Sequence, residues 1–311
     1  FFDDNGICNH CKIHEMLCDI YPNDRFGEKI MDGIIKKIKQ ASLGKKYDCV
    51  VGISGGRDST YTLFLAVKKW GLRPLAVHFN DGFGNPVAGK NMEKATKILG
   101  VDTITISADW RESKDLRLAF LRASTPDIDQ GTDLGLAAAL YGVASKFNIG
   151  YVLIGQSFRT EGIAPLEWSF LDGKYLKAVH KRFGTISLRK WKAEDPGFNL
   201  DVPPLFYYSV IRRIKTIMPL YYENYIRDEA NKIMSRDLNW VYPGTHYYDN
   251  LYQALYTYVL RVKFKIDRRI YNYSALIRSG QMDRTHALNL VKNPSIIEDS
   301  KVIDLCIKRL G

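Results

Sequence analysis

Short apolar runs and helical stripes alternate along the first half of the chain. Ile30, Ile34 and Ile38 fall at helical spacing opposite a lysine-rich face, which predicts a helix over residues 26–38. Residues 47–53 form a short apolar run that fits a strand buried on both faces. Residues 73–79, 102–106 and 151–154 are predicted as the next three strands. The segments between them show helical periodicity: 58–70, 88–99, around 116–121, and 134–147.

This alternation predicts an α/β fold of the Rossmann-like kind, a parallel sheet with helices on both faces. Ligands bind beyond the carboxyl ends of the strands in such sheets, so the loops after Ile53, Phe79 and Ile154 are the expected site. After about residue 160, aromatic and basic residues, turns and helical stretches follow. We expect a short cysteine-bearing knuckle (1–24), an ATP-binding α/β domain (25–160) and a mainly helical domain (161–311) that binds substrate or partner.

The loop between the first strand and the next helix reads Ser54-Gly55-Gly56-Arg57-Asp58-Ser59. Adjacent glycines let the backbone approach a ligand closely. The helix that follows directs unpaired N–H groups and the positive end of its dipole at that ligand, which favours an anion. Ser54 and Ser59 add hydroxyl donors, and Asp58 can cap the helix or help hold Mg²⁺. The sequence therefore predicts a phosphate site, although it lacks the Walker pattern.

Charge and composition change this picture little. Hydrophobic residues make up 46% and charged residues 25%, as in an ordinary globular protein. The net charge is +11, with basic clusters after residue 180. A basic solvated surface, an anionic substrate, a nucleic acid or an acidic partner would each account for it. No apolar run reaches the roughly 18 residues of a membrane span, and no secretory signal is visible, so we expect a cytoplasmic protein without membrane attachment.

The cysteines suggest a metal at one place. Cys8 and Cys11 form a Cys-x-x-Cys pair, with His10, His14 and Cys18 nearby. Such a pair supplies two of the four ligands of a tetrahedral Zn²⁺ site, and a reduced pair without metal is the alternative. We take Cys49 and Cys306, which lie in apolar runs, as core residues.

The whole hexapeptide Ser54–Ser59, placed at the end of the first strand, resembles the pyrophosphate-binding loop of the N-type ATP pyrophosphatase (PP-loop) superfamily. The resemblance implies a HUP-like domain that cleaves ATP between its α and β phosphates, with Mg²⁺, to adenylate a substrate oxygen. It places adenosine near His78, Phe79 and Asn80, and the phosphates near Gly155 and Gln156. Buried strand positions would explain His78 and Phe79 as well.

Motifs in the second half resemble a particular family within that superfamily. They are Gly244–Tyr248, Lys263–Arg269, Leu276–Met282, and Arg284 with Ala287, together with the opening Phe2–Cys11. The combination is similar to the N-acetyl sugar amidotransferases of surface-polysaccharide synthesis (WbpG- and PseA-like). That resemblance implies an AMP- and pyrophosphate-forming carbon–nitrogen ligase. The enzyme would adenylate the N-acetyl group of a nucleotide-linked sugar, and ammonia would then convert that group into an acetamidino group. The product would serve lipopolysaccharide O-antigen or glycan synthesis.

The same resemblance implies roles for single residues. Lys263 and Arg268 would join Asp58 as catalytic residues by holding phosphates or activating the carbonyl, although a solvated helix face explains Lys263 and Arg268 nearly as well. His246 is a candidate substrate contact. A second Cys-x-x-Cys, expected upstream of the present opening, would complete a zinc site with Cys8 and Cys11.

Two departures bear on the substrate and the nitrogen source. Many family members carry a Cys-x-x-Cys in the segment that reads Ser124–Asp133 here; its Asp129, Thr132 and Asp133 could cap a helix or face the substrate. No cysteine lies in a glutaminase-like setting. The resemblance therefore implies ammonia from a glutaminase–cyclase pair similar to imidazole glycerol phosphate synthase.

Two other functions are considered. A PP-loop enzyme that thiolates or ligates tRNA is the alternative, and the positive charge and the Cys pair favour it. An inactive ATP-binding scaffold is a third hypothesis. Nucleic acid is not the expected partner.

Overall fold

The computed structural model describes residues 2–165, 168, 171–189, 202–244, 249–292 and 299–311. Its sheet has the strands β1 (Cys49–Gly52), β2 (Pro74–Asn80), β3 (Thr103–Ser107), β4 (Tyr151–Leu153) and β5 (Lys215–Ile217). All pairings are parallel, and the strand order is β3-β2-β1-β4-β5. The predicted α/β class with a parallel sheet is confirmed.

Helices connect the strands and make up most of the described C-terminal half. They are α1 (Asn9–Ile20), α2 (Arg25–Ala41), α3 (Arg57–Phe64), α4 (Pro86–Leu99), α5 (Trp110–Ala123), α6 (Gln130–Lys146), α7 (Phe158–Glu161), α8 (Gly173–Phe183), α9 (Val202–Phe206), α10 (Arg227–Leu238), α11 (Tyr252–Phe264), α12 (Arg268–Arg278), α13 (Arg284–Lys292) and α14 (Ser300–Leu310). Helices α3 and α9 each continue into a π-helical turn, Leu65–Lys69 and Tyr207–Ile211. None of the helices among the described residues has the length and apolarity to cross a membrane.

The central strand β1 is buried on both faces, as its uninterrupted apolar sequence predicts. Cys49 and Val51 belong to a hydrophobic core shared with α2, α3, α4 and α10. Val50 faces the opposite core, formed with α6 and with Tyr208 and Ile214. Alternate residues thus face alternate helical layers, and the helices cover both sides of the sheet.

Strand β5 comes from the region that the sequence pattern assigned to the mainly helical domain. Lys215–Ile217 pairs with Tyr151–Leu153 and forms one edge of the sheet. Its three residues, the first of them an exposed lysine, are too few to show a period. The sheet therefore draws on residues on both sides of position 160.

The N-terminal segment contains a helix. Cys8 caps α1 by accepting a hydrogen bond from the Cys11 N–H. His14 of α1 is buried against the ring of Phe158 in α7, with the two ring centroids 5.4 Å apart. The segment therefore packs onto the α/β domain close to the end of β4.

Candidate active site

A cavity of about 470 Å³ opens at the carboxyl ends of β1, β2 and β4. Its wall includes the Ser54–Ser59 loop except Gly55, the end of β2, and parts of α6, α11 and α12. Between β1 and β4 the chain connections diverge to the two sides of the sheet, and this is where Rossmann-like sheets bind nucleotides. The position expected from the sequence is therefore where the cavity lies.

The loop has the backbone that its glycines allow. Gly55 has φ +79°, and a Cβ on it would lie 1.9 Å from the Ala88 carbonyl oxygen of α4. The Ser54 Oγ lies 3.0 Å from the Ser59 Oγ, so the two hydroxyls close the loop. Gly56 is the N-cap of α3 and makes no side-chain cap bond, which leaves the first N–H groups of α3 directed at the loop. These features fit a bound phosphate group.

The C-terminal half holds the loop in place from outside. The Trp240 indole N–H donates to the Gly55 carbonyl at 3.0 Å, and the Asn91 amide donates to the same oxygen at 3.3 Å. Asn91 also exchanges hydrogen bonds with the backbone of Val241, at 2.7 and 2.9 Å. The carbonyl is thereby turned away from the phosphate position, which suits an anion-binding loop.

Arg57 lies in the loop but supports Asp58. Its Nε donates to the Asp58 Oδ1 at 2.9 Å and to the Tyr225 hydroxyl at 3.0 Å, and the Tyr225 hydroxyl itself donates to Asp58. Arg57 and Asp58 are 6% and 7% exposed. The Asp58 carboxylate is therefore held in one orientation at the start of α3.

Two further carboxyl groups stand beside the loop. Glu161 at the end of α7 is hydrogen-bonded to Asp58; loss of water around it and the Asp58 charge raise its pKa well above the ordinary value. Asp249 is hydrogen-bonded to Ser54, and loss of water raises its pKa to about 6. Three carboxyl groups beside one loop favour protonation of some of them, in line with the raised pKa values of Glu161 and Asp249. Asp58 is held at the start of α3, and a single carboxylate together with phosphate oxygens is an ordinary way to bind Mg²⁺.

The residues expected near adenosine lie in the cavity wall. His78, Phe79 and Asn80 all line it. The His78 Nδ1 lies 3.0 Å from the Ile53 carbonyl oxygen, so its ring is fixed against β1. Phe79 is 9% exposed and also belongs to a hydrophobic core, so it has both of the roles considered for it.

Of the two residues expected near the phosphates after β4, one faces the cavity. Gly155 lines it, and a Cβ there would lie 2.5 Å from the Asp58 carbonyl oxygen. Gly155 therefore lets the end of β4 approach α3 closely. Gln156 is exposed and is absent from the cavity lining.

The two basic residues expected to be catalytic are separated. Arg268 lines the cavity, where it donates to the Gln253 Oε1 at 2.6 Å and to the Tyr271 hydroxyl at 2.7 Å. Lys263 lies outside the lining: its exposed ammonium donates to the Ser124 hydroxyl. Helix α11 ends at Phe264, and Lys263 projects from its last turn to the outer surface. The structure therefore gives Lys263 no contact with the site.

Asp267 and His246 also belong to the C-terminal motifs. Asp267 caps α12 and pairs with Arg269 at 2.7 Å, which is a structural role. His246 lies outside the described residues.

The metal expected at the N-terminus is not supported. The Cys8 and Cys11 sulfurs lie 3.1 Å apart, and both cysteines are free. Within the described ranges, no group of three or more His, Cys, Asp or Glu side chains could hold a metal. Two sulfurs fall short of the four ligands of a structural zinc site.

Two roles were considered for Asp129, Thr132 and Asp133 at the start of α6: capping the helix or facing the substrate. Asp129 makes no side-chain cap bond to α6. Asp129, Thr132 and Asp133 all line the cavity instead. Sequence reasoning missed Glu161, which stands in no motif, and Asp249, although Asp249 directly follows the Gly244–Tyr248 motif.

The described part of residues 222–311 supplies Trp240, Asp249 and Arg268, and the whole range matches the family model described as "LPS biosynthesis protein WbpG-like, C-terminal domain". This region is similar to the WbpG-like C-terminal domain. The WbpG-like domain supports the phosphate loop through Trp240 and closes the cavity through α11 and α12. The resemblance drawn from the C-terminal motifs is thereby confirmed.

Three individual proteins are also similar to parts of this chain or to its fold. An uncharacterized protein MJ1599 of Methanocaldococcus jannaschii is 31% identical over 111 residues, which are 36% of this chain. The match spans 38% of the length of that curated relative. NMN synthetase from Francisella tularensis is 18% identical, with 50% of this chain and 70% of that chain covered and a TM-score of 0.31. The U34-tRNA thiolase NcsA from Methanococcus maripaludis is 12% identical, with 89% and 88% covered and a TM-score of 0.35.

Proposed function

We propose that this chain is an ATP-dependent amidotransferase of surface-polysaccharide synthesis. It converts the N-acetyl group of a nucleotide-linked sugar into an acetamidino group and releases AMP and pyrophosphate in the cytoplasm. One observation carries the proposal: the phosphate loop of the α/β domain and helices of the WbpG-like domain line the same cavity. The lipopolysaccharide context rests on that domain, and the reaction rests on the loop.

The loop residues bind and orient the phosphates. The N–H groups of α3, with the Ser54 and Ser59 hydroxyls, donate to the leaving pyrophosphate and stabilise its growing charge. Asp58, fixed by Arg57 and Tyr225, would hold Mg²⁺, which neutralises phosphate charge when bound.

The reaction forms a bond between the acetamido oxygen and the α phosphorus and breaks the α–β phosphoanhydride bond. Ammonia then adds to the former amide carbon, AMP leaves, and one proton is lost from nitrogen. Asp249 has a pKa of about 6 because water is excluded around it, so it is mostly ionised at pH 7.5. It is therefore our candidate acceptor for that proton.

Ammonia must be delivered, because water in the cavity would only regenerate the starting amide. The five cysteines do not form a glutaminase site: Cys49 and Cys306 are buried, and the other three lie on or beside α1. We therefore propose a glutaminase–cyclase pair as the partner. Without it, we expect amidine at high ammonium and raised pH, and with glutamine no amidine until the partner is added.

The deciding experiment is mass spectrometry of an N-acetylated nucleotide sugar incubated with ATP, Mg²⁺, ammonium and the chain. An amidine product is lighter by the difference between an oxygen and an NH group, and AMP and pyrophosphate should accumulate equally. Asp58→Asn is the inactive control, and Lys263→Ala should retain activity because Lys263 lies outside the cavity. ADP and phosphate as products would contradict the loop assignment. Sulfur or amino-acid incorporation into tRNA, without sugar amidine, would favour the tRNA-modifying alternative.

A further inference from the structure

One wall of the cavity is built from α6, α11 and α12 and lies outside the phosphate loop. It consists of Asp129, Gln130 and Asp133 from the start of α6, Gln253 and Tyr256 from α11, and Arg268, Tyr271 and Asn272 from α12. We call this set the α6–α12 wall. The reaction steps above assign no role to it.

Two buried polar atoms of this wall have no hydrogen-bond partner among the residues that the structure describes. They are the Oε1 of Gln130, whose residue is 3% exposed, and the Oδ1 of Asn272, whose residue is 8% exposed. Buried polar groups are nearly always paired, since an unmet one costs free energy. Both residues line the cavity, so a ligand there can supply the partner. An amide can present either its oxygen or its NH₂ to the ligand, depending on how the group is rotated. A hydroxyl can pair with either one, because it both donates and accepts hydrogen bonds.

The hydrogen-bond acceptors of the wall favour a ligand that carries donors. Asp129 accepts hydrogen bonds from Thr132, at 2.6 Å, and from Gln253, whereas the Asp133 side chain is open to the cavity. The guanidinium of Arg268 is engaged with Gln253 and Tyr271 and stacks over the Tyr256 ring at 4.8 Å. A carboxylate that faces the ligand accepts O–H or N–H donors, which a sugar ring carries and a fully ionised phosphate lacks.

Aromatic surface completes the wall. Tyr256 and Tyr271 line the cavity beside these polar groups. Flat apolar faces together with a few convergent polar groups are typical of small-molecule sites that hold a neutral polar ring. The wall therefore fits a ring that carries several hydroxyls.

We propose that the α6–α12 wall binds the hexose ring of an N-acylated sugar, with hydroxyls paired to Gln130, Asp133 and Asn272. The N-acyl identity of the sugar rests on the proposed function, whereas the saccharide class rests on the wall. The phosphates of a nucleotide sugar would lie away from the Asp129 and Asp133 carboxyls.

Calorimetric titration tests this with UDP-N-acetylglucosamine, UDP-N-acetylgalactosamine and UDP. We expect the wild-type chain to bind at least one UDP-sugar more tightly than UDP. Asp133→Ala and Asn272→Ala should each weaken binding of that UDP-sugar about tenfold or more, with affinities for UDP and ATP changed less than twofold. Asp304→Asn, on an exposed position of α14, is the matched charge control and should bind as wild type.

The outcomes separate the two proposals. Unchanged UDP-sugar affinity in both variants, or a wild-type chain that binds UDP as tightly as every UDP-sugar, would overturn the saccharide wall. Sugar binding that depends on Asp133 but leads to no amidine would contradict the proposed reaction and leave the wall standing. If Asn272→Ala melts early, Asp133→Ala decides the test, because its side chain faces the open cavity.

Discussion

Gly55 and Gly56 are neighbours in the sequence but meet different surroundings. A Cβ on Gly55 would overlap the Ala88 carbonyl oxygen and require a strained φ of +79°, whereas a Cβ on Gly56 would lie 3.0 Å from the Asp249 Oδ2 and 3.2 Å from the Ser54 Oγ, within the site. We therefore expect Gly55→Ala to lower the free energy of unfolding by about 3 kcal/mol or more. Gly56→Ala should lower it by less than about 1 kcal/mol but reduce ATP turnover at least tenfold. Urea unfolding and pyrophosphate release measure the two effects; equal destabilisation by both substitutions would contradict the loop geometry.

The free energy of unfolding depends on pH through Glu161. Loss of water and the Asp58 charge raise its pKa well above the ordinary value, so the folded chain keeps a proton that the unfolded chain loses above a pKa of about 4.3. Glu161→Gln keeps a donor to Asp58 and cannot ionise. The variant should therefore melt above wild type at pH 8, by about 2 °C for each kcal/mol gained. The gap should close as the pH falls below about 4.5.

Thermal unfolding across pH 4–8 measures that difference. Glu93→Gln, on the exposed face of α4, is the matched control and should show a small gap that does not change with pH. A Glu161→Gln variant that follows wild type at every pH would show that the carboxyl is ionised in the fold.

At the scale of elements, several hydrogen bonds join the WbpG-like domain to the phosphate loop, and the Trp240 bond to the Gly55 carbonyl is the one that holds the loop backbone. Trp240 is 3% exposed and donates to the Gly55 carbonyl, to which Asn91 also donates. Trp240→Phe keeps most of the apolar ring and removes the donor. We expect a loss of about 1–2 kcal/mol in stability and a severalfold weaker affinity for ATP.

Trp70→Phe is the matched control, since Trp70 is buried in the same core but follows the opposite end of the α3 helix. It should cost stability without weakening ATP binding. If both substitutions change ATP affinity alike, Trp240 does not act through the loop.

The sequence predicted those elements that depend on residues close together along the chain. Strands β1 and β4 are short apolar runs, β2 is apolar over most of its length, and β3 alternates polar residues with isoleucine, so local patterns predicted all four. The Ser54–Ser59 loop carries its own chemistry and was predicted as well. The Glu161–Asp58 pair and the Tyr225 bond to Asp58 join residues about 100 and 167 positions apart. Lys263 was misplaced because a motif fixes spacing along a helix and leaves open which face meets the cavity. Long-range contacts of this kind carry no local signal.

At the scale of the molecule, the two halves share one hydrophobic core. Met234 and Leu238 of α10, with Trp240, pack in the same cluster as Val51 and Leu153 of the sheet. We expect residues 1–164 expressed alone to aggregate, because the β4 edge and this apolar surface would be uncovered. Solubility and circular dichroism of the fragment, against the full chain, check this. A soluble, folded fragment would show that the sheet is complete without the C-terminal half.

Strand β5 has a consequence for how the chain is made. The edge of β4 is complete at Leu153, yet its partner begins at Lys215, more than 60 residues later. At translation rates of about 5–20 residues per second, that edge leaves the ribosome roughly 3–12 s before the strand that covers it. Newly made chains therefore pass through an interval in which neighbouring copies on one messenger RNA can pair through β4. Slow synthesis of residues 154–214 would lengthen that interval, and a chaperone that shields exposed strands would act within it.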